Sequence, residues 1–194
     1  MEVRQAFAHK KGENVMKKNL RILTATAIGI ALFVVLSLCL QVPVFDNYYL
    51  CLGYVAMAVF CYSLGTVSGT IVGTLGVVLY CLLINGMRGM PGWALGNVAI
   101  GIGLGLTFAW SKKLPSKPLR FGVWTLAVVV FTAVGILGVK ALVDSLIRSQ
   151  PFLVRAGMNV YAFVADVVVL LIALPLCVVL DKPAKKLLRE NNLR

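Results

Sequence analysis

From Leu50 to Ile84 the chain carries no charged side chain, and its apolar character barely pauses. As one α-helix, at ~1.5 Å per residue, this stretch would extend roughly 50 Å, well beyond the ~30 Å hydrocarbon core of a bilayer. It must therefore fold back on itself. The only turn-forming punctuation inside it is Leu64-Gly65-Thr66-Val67-Ser68-Gly69, which splits it into two helices. Each half is short for a full crossing, so the pair is expected to pack tightly and to lie partly buried in a bundle.

Composition puts that bundle in lipid. Of the 194 residues 60% are hydrophobic and 13% charged, against about 45–50% and about 25% in soluble domains. Ile22 to Leu40 is uncharged and ends at Gln41-Val42-Pro43 without a small-residue cleavage site, which predicts a retained first helix rather than a cleaved signal. A fourth span is predicted from Trp93 to Trp110, with Pro91 suited to its first turn. A fifth follows from Phe121 to Val143, and a sixth from Asn159 to Leu180, its end bent by Pro175. The expected architecture is an all-α integral membrane protein: a six-transmembrane-helix bundle over residues 22–180, a basic leader over 1–21 and a basic tail over 181–194.

Charge orients it. Fifteen of the 19 lysines and arginines lie in the leader, in the loop holding Lys112, Lys113, Lys117 and Arg120, or in the tail; the others are Arg88, Lys140, Arg148 and Arg155. The positive-inside rule makes the first group cytoplasmic and both termini internal. The net charge of +12 is then a matter of topology and implies no nucleic-acid partner. His9 is the only histidine and lies in the leader, which excludes a histidine base within the bundle. The five cysteines form no CxxC pair and read as small hydrophobes, so no metal site and no cofactor is expected.

Several polar residues fall at the external ends of the predicted spans. Gln41, Asp46, Asn47, Tyr48 and Tyr49 follow the first, Asn85 and Arg88 precede the fourth, Lys140 closes the fifth, and Arg155, Asn159, Tyr161 and Asp166 open the sixth. Polar groups at membrane depth normally face a bundle interior or cavity, so an outward-facing pocket accounts for them economically. Tyr48, Tyr49 and Trp93 equally suit an aromatic belt, and Arg148 a solvated loop. Asp166 lies about two turns inside its span and is expected either to pair with Arg88, Lys140 or Arg155 or to touch a ligand. Around Pro91 the backbone is expected to be irregular and to wall that pocket. Glycines at four-residue spacing, Gly65-Gly69-Gly73, Gly92-Gly96 and Gly101-Gly105, predict close helix packing.

A basic leader, Ala27-xxx-Ala31 in the first span, a Val42-Pro43 break, the Leu64-Gly65 to Gly69 turn and a glycine-rich entry into the fourth span occur in an order that resembles the substrate-binding S component of energy-coupling factor (ECF) vitamin transporters. The similarity covers about Leu20 to Leu180 and is nearest the riboflavin-transporter-like branch that includes hydroxymethylpyrimidine and pyridoxine carriers. The sequence departs from that pattern at Thr66, where many members have proline, and in having Asn85 and Arg88 where some relatives carry His and Asp. The resemblance implies a bacterial plasma-membrane protein that binds one vitamin from outside. It implies association with a transmembrane coupling subunit of the EcfT type and two cytoplasmic ATPases. It also implies Ala27 and Ala31 as the docking face and Gln41, Asn47, Tyr48, Asn85, Arg88, Trp93, Asn159 and Asp166 as pocket residues. The chain has no GxxxxGK[ST] loop of its own.

Two other classes stay open. A small membrane enzyme would need a nucleophile and base or a carboxylate cluster at membrane depth, where the sequence offers Asp166 alone among the spans' interiors. A stand-alone channel or secondary carrier would be expected to show broken-helix pairs in repeated halves, which are not visible. Within the vitamin reading, surplus Arg and Lys at the outer ends suits an anionic or acceptor-rich molecule such as pantothenate beside a pyridoxine-like or pyrimidine ring.

Overall fold

The structure, a computed structural model, describes residues 2–39, 43–45, 48–85 and 90–189. Helix α1 runs from Glu2 to Cys39, so the basic leader continues into the first span as one helix. A short antiparallel hairpin follows, strands β1 (Pro43–Phe45) and β2 (Tyr48–Tyr49), pairing Pro43 with Tyr49. Then come α2 (Gly53–Ser63), α3 (Thr66–Tyr80) with a π-helical extension at Cys81–Asn85, and α4 (Met90–Ser111). Helix α5 (Lys117–Thr132) passes through a π-helical segment, Ala133–Lys140, into α6 (Ala141–Arg148). The last two helices are α7 (Phe152–Met158) and α8 (Val160–Arg189), the latter unbroken through Pro175 and Pro183.

Among the described residues five helical stretches are long and apolar enough to cross a membrane: Asn19–Cys39, Thr66–Ile84, Met90–Ser111, Lys117–Arg148 and Val160–Pro183. The second predicted span differs. Helix α2 has 11 residues, about 16 Å at 1.5 Å per residue, roughly half a hydrocarbon core. None of its residues is exposed. It is enclosed by α1, α3, α4 and α8, which explains how a helix too short to match the bilayer is stable: its surroundings are protein. The expected split of the long apolar run falls where the glycine allows it, since Gly65 has φ +97, a conformation L side chains rarely adopt, and α3 starts at the next residue.

Close approaches fix the directions of the helices. Gly29 of α1 faces Phe60 of α2 and Val72 of α3, while Gly53 faces Phe33 and Ser37, so α2 runs against α1 and α3 runs with it. Gly101 and Gly105 of α4 lie against Thr70 and Thr66 of α3, where an added Cβ would come within 2.8 Å and 2.6 Å of the threonine Cα atoms. Backbone cannot yield there, so the predicted Gly-xxx-Gly packing is the α3–α4 contact itself. Gly96 meets the Gly135 carbonyl in the π-helical segment. These pairings, with Gly92 of α4 against Lys140 and Asp144, leave α1, α3 and the α5–α6 stretch ending at the end of the bundle where α2 and α4 begin; Asp166 beside Tyr54 brings the start of α8 there too. The expectation of an irregular wall at Pro91 is corrected: the proline sits in the first turn of α4, where its missing N–H forfeits no helical hydrogen bond.

Candidate functional site

At that shared end, side chains of three helices converge on one phenol. Tyr54, in the first turn of α2, is fully buried. Its hydroxyl accepts from Trp93 Nε1 at 2.9 Å and donates to Asn97 Oδ1 at 2.8 Å. Trp93 and Asn97 are four residues apart on α4 and therefore share a face. Asn97, also fully buried, donates through Nδ2 to the Gly73 carbonyl of α3 at 2.9 Å, which fixes its amide so that the oxygen faces Tyr54. The tyrosine has one proton and uses it; such a connected set of hydrogen bonds holds its members rigidly in a low-dielectric interior. Trp93 also meets Tyr80 of α3 edge-on, with ring centroids 5.7 Å apart, and Tyr54 meets Phe33 of α1 at 6.1 Å.

Charge lies beside this network. Asp166, buried on α8, stands beside the Tyr54 hydroxyl as a second acceptor for the one proton now given to Asn97, and within Coulombic range of Lys140, which ends the π-helical segment. Asp144, buried on α6, faces Lys140, Arg148 and Arg155. Its seat is made by α4, since a Cβ on Gly92 would come within 2.5 Å of the Asp144 carboxylate. Ser37 of α1 and Cys51 approach to 3.3 Å close by. Carboxylates and cations buried together at membrane depth are expensive unless they face one another or a ligand, and here they do face one another.

Of the eight predicted pocket residues, the structure brings Trp93 and Asp166 to Tyr54, while Asn159 is buried in the turn between α7 and α8. Gln41, Asn47 and Arg88 lie outside the described residues, as do the side chains of Tyr48 and Asn85. Of the three cations expected for Asp166, Lys140 lies within Coulombic range of it, and Arg88 lies outside the described residues. Tyr54 and Asn97 were missed by sequence reasoning. The available signal was a lone amide inside an apolar helix, in Gly96-Asn97, and a tyrosine opening the short second helix. Ala27 and Ala31 are both exposed on α1, one turn apart.

The opposite end carries the basic loop. There Trp124 of α5 packs edge-on against Tyr62 at 5.4 Å and Phe108 at 5.5 Å, and donates to Ser111 Oγ. Lys112 bonds the Tyr62 carbonyl at 3.1 Å and lies 4.9 Å above its ring, while Arg120 donates twice to the Leu114 carbonyl.

The sequence matches three curated relatives over part of their length. It is 32% identical over 98 residues to a UPF0397 protein of Lactococcus lactis subsp. cremoris, covering 49% of this chain and 50% of that one. It is 30% identical over 112 residues to a UPF0397 protein of Streptococcus thermophilus, covering 57% and 60%. The matched region thus spans between half and three fifths of these relatives. A family match is more extensive: the family described as ECF-type riboflavin transporter, S component, aligns with residues 17–182, which takes in every helix of the bundle. The membrane helices, the buried polar end and that match over most of the chain agree, and the protein belongs to the ECF-type riboflavin transporter S component family.

Proposed function

We propose that this multi-pass protein of the bacterial plasma membrane is the vitamin-capturing S subunit of an ATP-driven ECF uptake transporter and is not itself an enzyme. The observation that carries the reading is the Trp93–Tyr54–Asn97 network with Asp166 and Lys140 at one end of the bundle. It supplies an aromatic edge, fixed donors and acceptors and paired charge, as a small polar molecule with a ring requires. Trp93, Asn159 and Asp166, joined by Tyr54 and Asn97, are the proposed contacts, together with Gln41, Asn47, Tyr48, Asn85 and Arg88. The substrate proposed from the sequence resemblance is of hydroxymethylpyrimidine or pyridoxine type. The second reading, an acid-bearing vitamin such as pantothenate, is favoured by the three cations Lys140, Arg148 and Arg155 at this end.

The polar end faces outside in this proposal and the basic end faces the cytoplasm, in keeping with Lys112, Lys113, Lys117 and Arg120 lying together at the latter. Single reporter cysteines at Ser149 and Ser116, both exposed, test it in a background lacking the native cysteines. Ser149 is expected to label in intact cells and Ser116 only after permeabilisation; the reverse pattern overturns the orientation. Coupling would use the exposed Ala27 and Ala31, with a coupling subunit of the EcfT type and two ATPases hydrolysing the ATP. Replacing both alanines with tryptophan is expected to leave vitamin binding by the isolated protein within about twofold and to abolish ATP-dependent uptake. Uptake that persists without any ATPase subunit would favour a stand-alone carrier instead.

A further inference from the structure

Two buried nitrogen donors at the polar end have nothing to donate to. Arg155 Nε and Asn159 Nδ2 are both covered from solvent and lack a hydrogen-bond partner, and Asn159 is only 3% exposed. They belong to one turn: the Asn159 N–H bonds the Arg155 carbonyl at 3.1 Å, which puts the two side chains on one face at the junction of α7 and α8. Buried donors in folded proteins are almost always satisfied, so a pair left open side by side marks a missing acceptor. Asn159 lies seven residues before Asp166, about 10 Å along the axis at helical rise, and its carbonyl accepts from the Phe163 N–H at the start of α8. The open pair therefore belongs to the same end of the bundle as the network described above.

The charge around it points to what that acceptor is. Among the described residues Asp144 lies within Coulombic range of Lys140, Arg148 and Arg155, and Asp166 within range of Lys140. Arg148 is exposed, whereas the Arg155 Nε is covered. A carboxylate has two oxygens for the two donors, and its charge suits the Arg155 guanidinium.

We infer that Arg155 and Asn159 form an oxyanion subsite that holds the carboxylate of the transported molecule. The inference rests on the transporter reading and takes its second, acid-bearing substrate class over the hydroxymethylpyrimidine or pyridoxine type; a planar ring carrying an acid group would satisfy both this subsite and the Trp93 edge. An anionic lipid headgroup presents similar oxygens, so the test separates the two sources.

The experiment uses the full-length protein in nanodiscs of zwitterionic lipid, titrated with matched pairs: pantothenate and panthenol, biotin and biotinamide, nicotinate and nicotinamide. Pyridoxine, hydroxymethylpyrimidine and riboflavin are run beside them. One acid is expected to bind at least tenfold more tightly than its neutral partner. Arg155→Ala and Asn159→Asp are each expected to erase that ratio, Arg155→Lys to restore part of it, and Arg155→Ala to leave the melting temperature of the unliganded protein unchanged. The inference is overturned if only neutral vitamins bind, if the ratio survives in Arg155→Ala, or if native mass spectrometry in anionic nanodiscs shows Arg155→Ala losing a bound lipid while acid binding persists. A wild-type protein that binds no compound and supports no ATP-dependent uptake overturns the transporter reading, and the subsite with it.

Discussion

The two ends of the bundle solve the same problem, polar groups near lipid, in opposite ways. At the basic end the ring and guanidinium donors are closed off: Trp124 on Ser111, Arg120 on Leu114, Lys112 on Tyr62, with three aromatic rings wedged edge to face. The Ser63 hydroxyl of that end is buried without a partner, but it is neutral. At the other end a rigid core of three bonded side chains belongs to the same region as two buried donors that remain open, Arg155 Nε and Asn159 Nδ2. Closure at one end and openness at the other separate a clamp from a receptor. The distinction is one of stability against affinity, and it can be broken by substitution.

The largest effect is expected at the clamp. Trp124→Ala removes a buried ring and the donor to Ser111, whose hydroxyl still donates to the Phe108 carbonyl, for about 3–5 kcal/mol of stability. Molecules that do fold are expected to bind the vitamin as wild type does. Thermal unfolding of the purified protein measured beside a titration checks both halves, and a comparable loss of affinity would erase the contrast between the ends.

A smaller loss of stability is expected at the hub of the open end, accompanied by a loss of binding. Tyr54→Phe leaves Trp93 Nε1 and Asn97 Oδ1 without partners, at about 1–3 kcal/mol, and loosens the edge on which a ring would rest. Affinity is expected to fall about tenfold, since ~1.4 kcal/mol is one decade. If melting drops while affinity holds, the network is scaffolding alone and the site lies elsewhere along that end. The smallest effect is assigned to Lys112→Met, which gives up an exposed hydrogen bond and a cation–π contact worth about 0.5–1 kcal/mol. Binding should not change. Addition of salt should weaken the wild-type advantage in melting temperature and leave the variant's unaltered.

Much of the fold was legible because lipid enforces simple rules. Apolar length, the Leu64-Gly65 turn and the Gly101 and Gly105 spacing each map onto a visible element, as does Pro91 in the first turn of α4. What was not legible came from tertiary arrangement. Hydropathy counts Gly53–Ser63 as a crossing because burial in protein and burial in lipid select the same residues. Tyr54 and Asn97 carry ordinary apolar-helix neighbours in sequence, and only the antiparallel meeting of α2, α3 and α4 reveals that one hydroxyl serves both. Asp166 was legible by depth, since a carboxylate two turns inside a span must face something; which cation it faces depends on the π-helical segment that carries Lys140 and has no sequence signature.

The short enclosed α2 has a mechanical consequence. Hydrophobic mismatch acts on helices that touch lipid, which tilt or strain as the bilayer thickens or thins, at fractions of a kcal/mol per Å. Helix α2 has no exposed residue and so feels that force only through its neighbours. The five long helices act as staves that can lean with the membrane while the inner post carrying Tyr54 keeps its place. A protein built this way can keep the geometry around Tyr54 in membranes of different acyl-chain length, because the proposed recognition site and the part that fits the bilayer are separate pieces of the same chain.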